Sequence, residues 1–363
     1  MALTIPALLA ERIAAHGNET VLRKKHRGIW QAVTWSELGA HVRAISNGLA
    51  AAGFQPGDVA CVLAETRPES VYADLGIMEA GGVSGAINPA MEAEPLGDAL
   101  NQVGCRILFV ENEEQLDKAL AARDRCPSLQ RIVISDMKGL REFTDPMCES
   151  LESFVAQEGD SVGASVTQDQ PAVLLFPSLR VLTHSDALHM VAHARSLLQP
   201  RTGDERLALL PMCNAMERVL GLYLSLDVRA ISNYLESPDT VIENLQEVQP
   251  TLLGTDPAIW QLLYARATNA ADGATRLQRS LYRWAIASGG GTLARLCVLN
   301  AVCRELGLRR LRRAYIGAAP LPPEIARWAA ALGITIQPID GQATQGVAMD
   351  ARYRALMEEA YST

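Results

Sequence analysis

The sequence predicts an α/β fold with parallel strands, and three observations carry that prediction. Short apolar runs at residues 59–63, 83–87, 106–110 and 131–134 have the length and Val/Ile/Leu content of strands buried on both faces. Segments of helical period lie between them, at 68–80, 96–103 and 113–125, so successive strands are joined by helical crossovers and run parallel. The chain has 363 residues, 48% of them hydrophobic and 20% charged, which is a globular composition long enough for one large or two ordinary domains.

Taken in order, the chain opens on a helix. Residues 21–25 and 29–33 then form a hairpin across Arg27 and Gly28. Thr34, Trp35, Ser36 and Glu37 read as a capping box that starts a helix, which Gly53 closes. Pro56, Gly57 and Asp58 turn the chain into the first buried strand. Residues 136–170 are irregular and polar apart from a helix near 151–157, and 158–170 reads as a linker. A strand at 172–176, a turn through Pro177 and Ser178 and a helix capped by Ser185 follow. Further strands are expected at 206–210, 229–235 and 251–253, with helices at 216–226 and 238–247. Two or three helices fill 257–306, and a strand–helix–strand unit runs from 311 to 338.

Charge and cysteine usage narrow the function. The net charge of −8 and pI near 5.4 give a nucleic-acid role no electrostatic support. The one basic cluster, Arg309, Arg310, Arg312 and Arg313, reads as a solvated helix end. No apolar run is long enough for a transmembrane segment, and the N-terminal residues, which include Glu11 and Arg12, do not read as a signal peptide. The seven cysteines form no Cys-x-x-Cys pair and are expected to be reduced core residues of a cytoplasmic protein. Gly289, Gly290 and Gly291 before a helix lack the spacing of a phosphate loop and read as a flexible connector. His184, His189 and His193 share helical spacing, but no acid or cysteine completes a set, so no metal site is assigned.

Several motifs stand in an order that resembles the adenylate-forming enzymes, more narrowly the long-chain fatty acid–CoA ligases (acyl-CoA synthetases). Leu182, Thr183 and His184 after the strand at 172–176 match the end of that family's phosphate-binding segment. The Ser/Thr/Gly-rich loop and its Pro-Lys-Gly, which hold the ATP phosphates in the family, are replaced by Pro177, Ser178, Leu179, Arg180 and Val181. Residues 209–218, with Pro211, Met212, Asn214, Glu217 and Arg218, match the family's LPLxHxxER element, with Asn214 in the histidine's place. Glu217 and Arg218 read as a structural ion pair at a helix start. Asp256, Pro257, Ala258, Ile259 and Trp260 resemble the VPRIWE element beside the acyl tunnel, with Asp256 as cap and Pro257 at the first helical position. Gly317, Ala318, Ala319, Pro320 and Leu321 resemble the GGAPL turn that meets the adenine. Asp340, Gly341, Gln342, Ala343, Thr344, Gln345 and Gly346 resemble YGQTEG, with Asp340 replacing the adenine-stacking aromatic and Gln345 the Mg²⁺-binding acid. A neutral amide is a far poorer Mg²⁺ ligand than a carboxylate.

The resemblance implies two doubly wound α/β subdomains of the acyl-CoA synthetase N-terminal type, without the small C-terminal domain. The expected limits are residues 1–160 and 161–346, followed by a divergent helix at 347–363 in which Tyr353, Leu356 and Met357 share one face. The family's reaction activates a fatty acid with ATP and Mg²⁺ to an acyl-adenylate and then to a coenzyme A thioester. Carried over residue by residue, Ser178, Gly317, Ala318, Ala319, Pro320, Asp340, Gly341 and Gln342 would face the nucleotide. Met212, Asn214 and Trp260 would face the acyl group, and Thr344 and Gln345 would be the altered catalytic pair. With loop, aromatic and acid all changed, the expectation is poor ATP and Mg²⁺ binding. A catalytically impaired or inactive pseudoenzyme that binds a fatty acid or acyl-CoA, alone, as a homodimer or with a partner protein, follows. Two alternatives stay open: an active ligase completed by another polypeptide, and a non-functional truncated product.

Overall fold

The computed structural model describes residues 3–157, 166–317 and 320–339. In chain order the strands are β1 Thr20–His26, β2 Ile29–Thr34, β3 Val59–Leu63, β4 Val83–Ile87, β5 Cys105–Val110, β6 Arg131–Ile134 and β7 Cys148–Ser150. They continue as β8 Pro171–Leu175, β9 Arg180–Thr183, β10 Glu205–Ala208, β11 Ile231–Tyr234, β12 Leu252–Thr255, β13 Arg313–Ile316 and β14 Ile336–Pro338. They form two seven-stranded sheets, ordered β7-β6-β5-β3-β4-β8-β9 and β14-β13-β12-β10-β11-β1-β2. Contacts divide the chain into two units, one drawn from residues 1–22, 32–194 and 211–227, the other from 23–31, 195–210 and 228 onward.

In the first unit β3, β4, β5, β6, β7 and β8 are parallel, and β3 pairs with β4 residue for residue from Val59↔Val83 to Leu63↔Ile87. Both faces are covered by helices, which is why these strands read as continuous apolar runs. Cys61, Leu63, Ile87, Leu108, Val110 and Ile132 lie in one core cluster. Helix Trp35–Ala51 starts at the capping box read from the sequence, with Thr34 and Glu37 reciprocally bonded. The short strand β7, inside the segment read as irregular, adds to the sheet edge beside β6.

In the second unit β10 pairs in parallel with both β11 and β12, and β12, β13 and β14 follow in order. Leu207, Leu253, Trp260, Leu263, Ala314 and Trp328 are part of its core. Asp256 accepts from Ile259 N (3.1 Å) and Pro257 occupies the first turn of helix Pro257–Gly273, as the sequence pattern predicts.

Four local readings are corrected in whole or in part. Helix His184–Leu198 is capped by Thr183, not Ser185: the Thr183 hydroxyl accepts from Asp186 N (3.0 Å) and the Asp186 carboxylate accepts from Thr183 N (2.9 Å). The expected helix at 216–226 begins as π-helix, Met216–Tyr223, before Leu224–Val228. Half of the basic cluster is spent in part-buried bonds, while Arg309 and Arg310 are exposed as read. Arg312 clasps both Asp204 oxygens (2.5 and 2.6 Å), Arg313 donates to Leu198 O (3.1 Å) and Arg310 pairs with Glu205 (3.4 Å). Within the glycine run one position is set by space, since a Cβ on Gly290 would lie 1.9 Å from Ala331 O; Gly289 and Gly290 have positive φ, and a Cβ on Gly289 or Gly291 would meet open space.

Candidate functional site

In doubly wound sheets ligands bind outside the carboxyl ends of the strands, at the point where the strand order reverses. Each sheet has such a point, at β3 with β5 in the first unit and at β10 with β12 in the second.

At the first, the loops after β3 and β5 are tied to one another. Glu111 accepts from Glu65 N (2.8 Å) and from Arg67 (2.7 Å), and Arg67 also pairs with Glu69 (2.8 Å). Burial acts against the Arg67 charge, but the two glutamates outweigh it and raise its pKa. Farther along the same edge lies the turn that replaces the phosphate loop. Strand β9, which the sequence reading did not anticipate, folds back antiparallel on β8 from Leu175↔Arg180 to Pro171↔Thr183. Only Phe176, Pro177, Ser178 and Leu179 remain to make the turn. The Ser178 hydroxyl donates to Leu175 O (3.2 Å) and accepts from Arg180 N (3.4 Å), so its polar capacity serves the hairpin.

Behind this edge is a buried ionic network. Arg218 is 0% exposed, and the carboxylate it clasps is Asp74. It also donates to Ser84 O (2.7 Å), Leu174 O (3.1 Å) and the Tyr223 hydroxyl (3.0 Å). Asp74 accepts in addition from Ser84 Oγ (2.6 Å) and Tyr223 Oη (2.8 Å). Burial opposes the charge of Arg218, but Asp74 and Tyr223 hold its pKa above the ordinary value. The Tyr223 hydroxyl is pushed well above its own, chiefly by burial. Asp74 was missed because its partner is 144 residues away; its one trace in the sequence is a carboxylate amid the apolar positions of helix Pro68–Glu79. His184, 1% exposed, accepts from Ile5 N (3.4 Å), and burial lowers its pKa to about 4.

The carboxyl edge of the second sheet is less self-contained. Thr255 ends β12 beside Ile316, and Gly317 is the buried residue that follows β13. The Thr255 hydroxyl and the Trp260 indole N–H are buried with no hydrogen-bond partner among the described residues. Burial raises the pKa of Asp256 between them. A Cβ on Gly254 would fall 2.4 Å from the Tyr315 ring, so glycine there lets that ring pack flat on the strand.

The sequence-derived site residues are thus distributed. Ser178, Met212 and Asn214 belong to the first unit, and Gly317, Pro320 and Trp260 to the second. Met212 is buried; Asn214 is half-buried and accepts from Met216 N (2.9 Å). Pro320 is exposed and Trp260 is fully buried in the second core. Ala318, Ala319, Asp340, Gly341, Gln342, Thr344 and Gln345, and the helix expected at 347–363, lie outside the described residues. Among the described residues no group of three metal-ligating side chains forms, and no helix is long and apolar enough to cross a membrane.

Comparison with known proteins supplies the family. The chain is 22% identical to the long-chain-fatty-acid–CoA ligase ACSBG2 of Xenopus laevis, over 93% of its own length and 51% of that protein's. It therefore spans about half the length of the curated relatives it matches. Its fold superposes on the anthranilate CoA ligase AuaEII in complex with anthranoyl-AMP with a TM-score of 0.72, at 17% identity, covering 93% of this chain and 58% of that one. The N-terminal domain of FACL13 from Mycobacterium tuberculosis gives 0.69 at 16% identity, covering 99% of this chain and 81% of that one. The model of the AMP-binding enzyme family matches residues 9–343, and the chain belongs to that family.

Proposed function

We propose that this chain is an acyl-CoA-synthetase-like protein that no longer performs the adenylation step and serves as an acyl-binding or regulatory module. The observation that carries the reading is the β8–β9 hairpin. A triphosphate cradle needs a run of free backbone N–H groups. Here the strands pair up to Leu175 and Arg180, and the one hydroxyl of the turn is bonded within it. The residues present do not fit ATP and Mg²⁺. Asp340 and Gln345 point the same way, since neither replaces a stacking ring or a metal-binding carboxylate. Loss of one charge-stabilising group in such a site removes about 3 kcal/mol of transition-state stabilisation, and here several are changed together. Retention of an acyl site is supported by Met212 and Trp260, which keep apolar character at the matching positions.

The test is pyrophosphate release by the purified chain with ATP, Mg²⁺ and a panel of fatty acids. Release at background is expected, and turnover with any member overturns the loss of adenylation. Fatty acids and acyl-CoAs are also expected to raise the melting temperature by mass action. No shift at any chain length removes the acyl-binding role.

A further inference from the structure

The second unit carries an exposed surface that includes none of the family-motif residues named above. Helix Arg276–Ala287 leaves Leu277, Leu281 and Trp284 71%, 41% and 48% exposed. Their spacing of four and three residues places them on one face. The next helical stretch leaves Leu293 and Leu296 each 69% exposed. The two stretches border a cavity of about 540 Å³ lined by Leu281 on one side and Cys297 on the other, with Ala271, Ala301 and Val302 among the wall. Leu277 and Leu293 stand one helical turn before Leu281 and Cys297, so both exposed stripes run to the cavity mouth.

Charge on this surface is mostly basic. From 276 to 304 the charged residues are Arg276, Arg279, Arg283, Arg295 and Arg304, in a chain of net charge −8, and exposed Glu305 and Arg266, of opposite charge, both stand on the cavity wall. Arg276, Arg279 and Arg283 fall on the flank of the helix away from Leu277 and Trp284, at spacings of three and four. Exposed Asp272 meets two of them, 3.3 Å from Arg283 and 4.0 Å from Arg279. A helix with a Leu/Trp face beside an arginine face is the pattern of segments that lie in a membrane interface. There the apolar face enters the acyl boundary and the arginines meet anionic headgroups. Isolated exposed leucines need no explanation, but five large apolar side chains on two packed helices do.

We propose that helix Arg276–Ala287 and the following stretch to Leu299 form a docking face for an anionic lipid bilayer. Leu277, Leu281, Trp284, Leu293 and Leu296 are the inserted residues, and Arg276 and Arg283 the main headgroup contacts. The inference stands apart from the proposed loss of adenylation, because an active or an inactive chain would bind alike.

Co-sedimentation of the full 363-residue chain with vesicles of phosphatidylcholine, alone or mixed with phosphatidylglycerol, tests it. Binding to the mixed vesicles only is expected, with a blue shift of tryptophan emission that Trp284→Phe removes. Arg276→Gln with Arg283→Gln should weaken partitioning roughly 30-fold, from about 1 kcal/mol per arginine. Leu277→Ser with Trp284→Ser should abolish it while the chain still unfolds in one cooperative transition, since the two side chains are 71% and 48% exposed. No binding by the full chain, equal binding to both vesicle types, or binding untouched by both variant pairs overturns the proposal. So does a dimer that Leu277→Ser with Trp284→Ser dissociates in the absence of vesicle binding, which would assign the face to a second copy.

Discussion

Both sheets are wound the same way. A central strand is laid first, its neighbour is added on one side, and the chain then crosses to the other: β3 with β4 and β5, β10 with β11 and β12. What stands at the two reversal points differs. In the first unit Arg67, Glu69 and Glu111 close the crevice with their own charges, and the hairpin turn along the same edge bonds its Ser178 internally. In the second, Thr255 and Trp260 keep buried polar groups with no partner among the described residues, and Asp256 has a pKa raised by burial. Topology marks where a ligand crevice forms; whether it remains available depends on which side chains have spent their hydrogen bonds on one another. By that measure the first reversal point has turned its polar groups to holding the fold together, and the second retains unspent ones.

The strongest way to break this contrast is at the buried pair of the first unit. Asp74→Asn leaves Arg218 charged and buried without its carboxylate, and unfolding in urea should show a loss of about 3–5 kcal/mol. Asp74→Leu with Arg218→Met, which removes both charges, should recover much of it. A single variant as stable as the parent would mean that the network does not support the fold.

Mild acid should act next, and again on the first unit. The folded chain holds His184 neutral down to about pH 4, whereas its ordinary value is 6.5, so between those values the unfolded chain binds the extra proton. Stability is therefore fully present above about pH 6.5 and falls as pH drops, by about 3 kcal/mol near pH 4. His184→Gln, which keeps a polar acceptor that does not titrate in this range, should flatten that limb of the stability curve. An unchanged limb would place the acid sensitivity elsewhere.

The smallest effect compares two buried hydroxyls. Ser84 Oγ donates to Asp74, so Ser84→Ala should lower stability by about 1–2 kcal/mol. Thr255→Val removes a buried hydroxyl that has no partner among the described residues, and should leave stability unchanged or raise it by about 1 kcal/mol. Equal losses at both positions would end the contrast between the two units.

The parallel α/β class, the strands at 59–63, 83–87 and 131–134, the capping box at Thr34 and the helix start at Asp256 and Pro257 were all legible from residue order. Each depends on a local rule: an apolar run, a helical period, or a side chain reaching a backbone N–H three residues on. The family was legible too, because its motifs lie at turns and helix starts, where residue type and backbone conformation are tied together. Only the tertiary structure decided the rest. Residues 177–181 read as a shortened loop, and only pairing with β8 makes Arg180–Thr183 a strand, since a sheet edge supplies hydrogen bonds that a four-residue segment cannot make alone. Arg218 pairs with Asp74, 144 residues away in the chain, because burial selects a partner that only the packed helices bring within reach. Local chemistry is written in neighbouring residues, whereas the cost of burying a charge is settled among groups that only folding assembles.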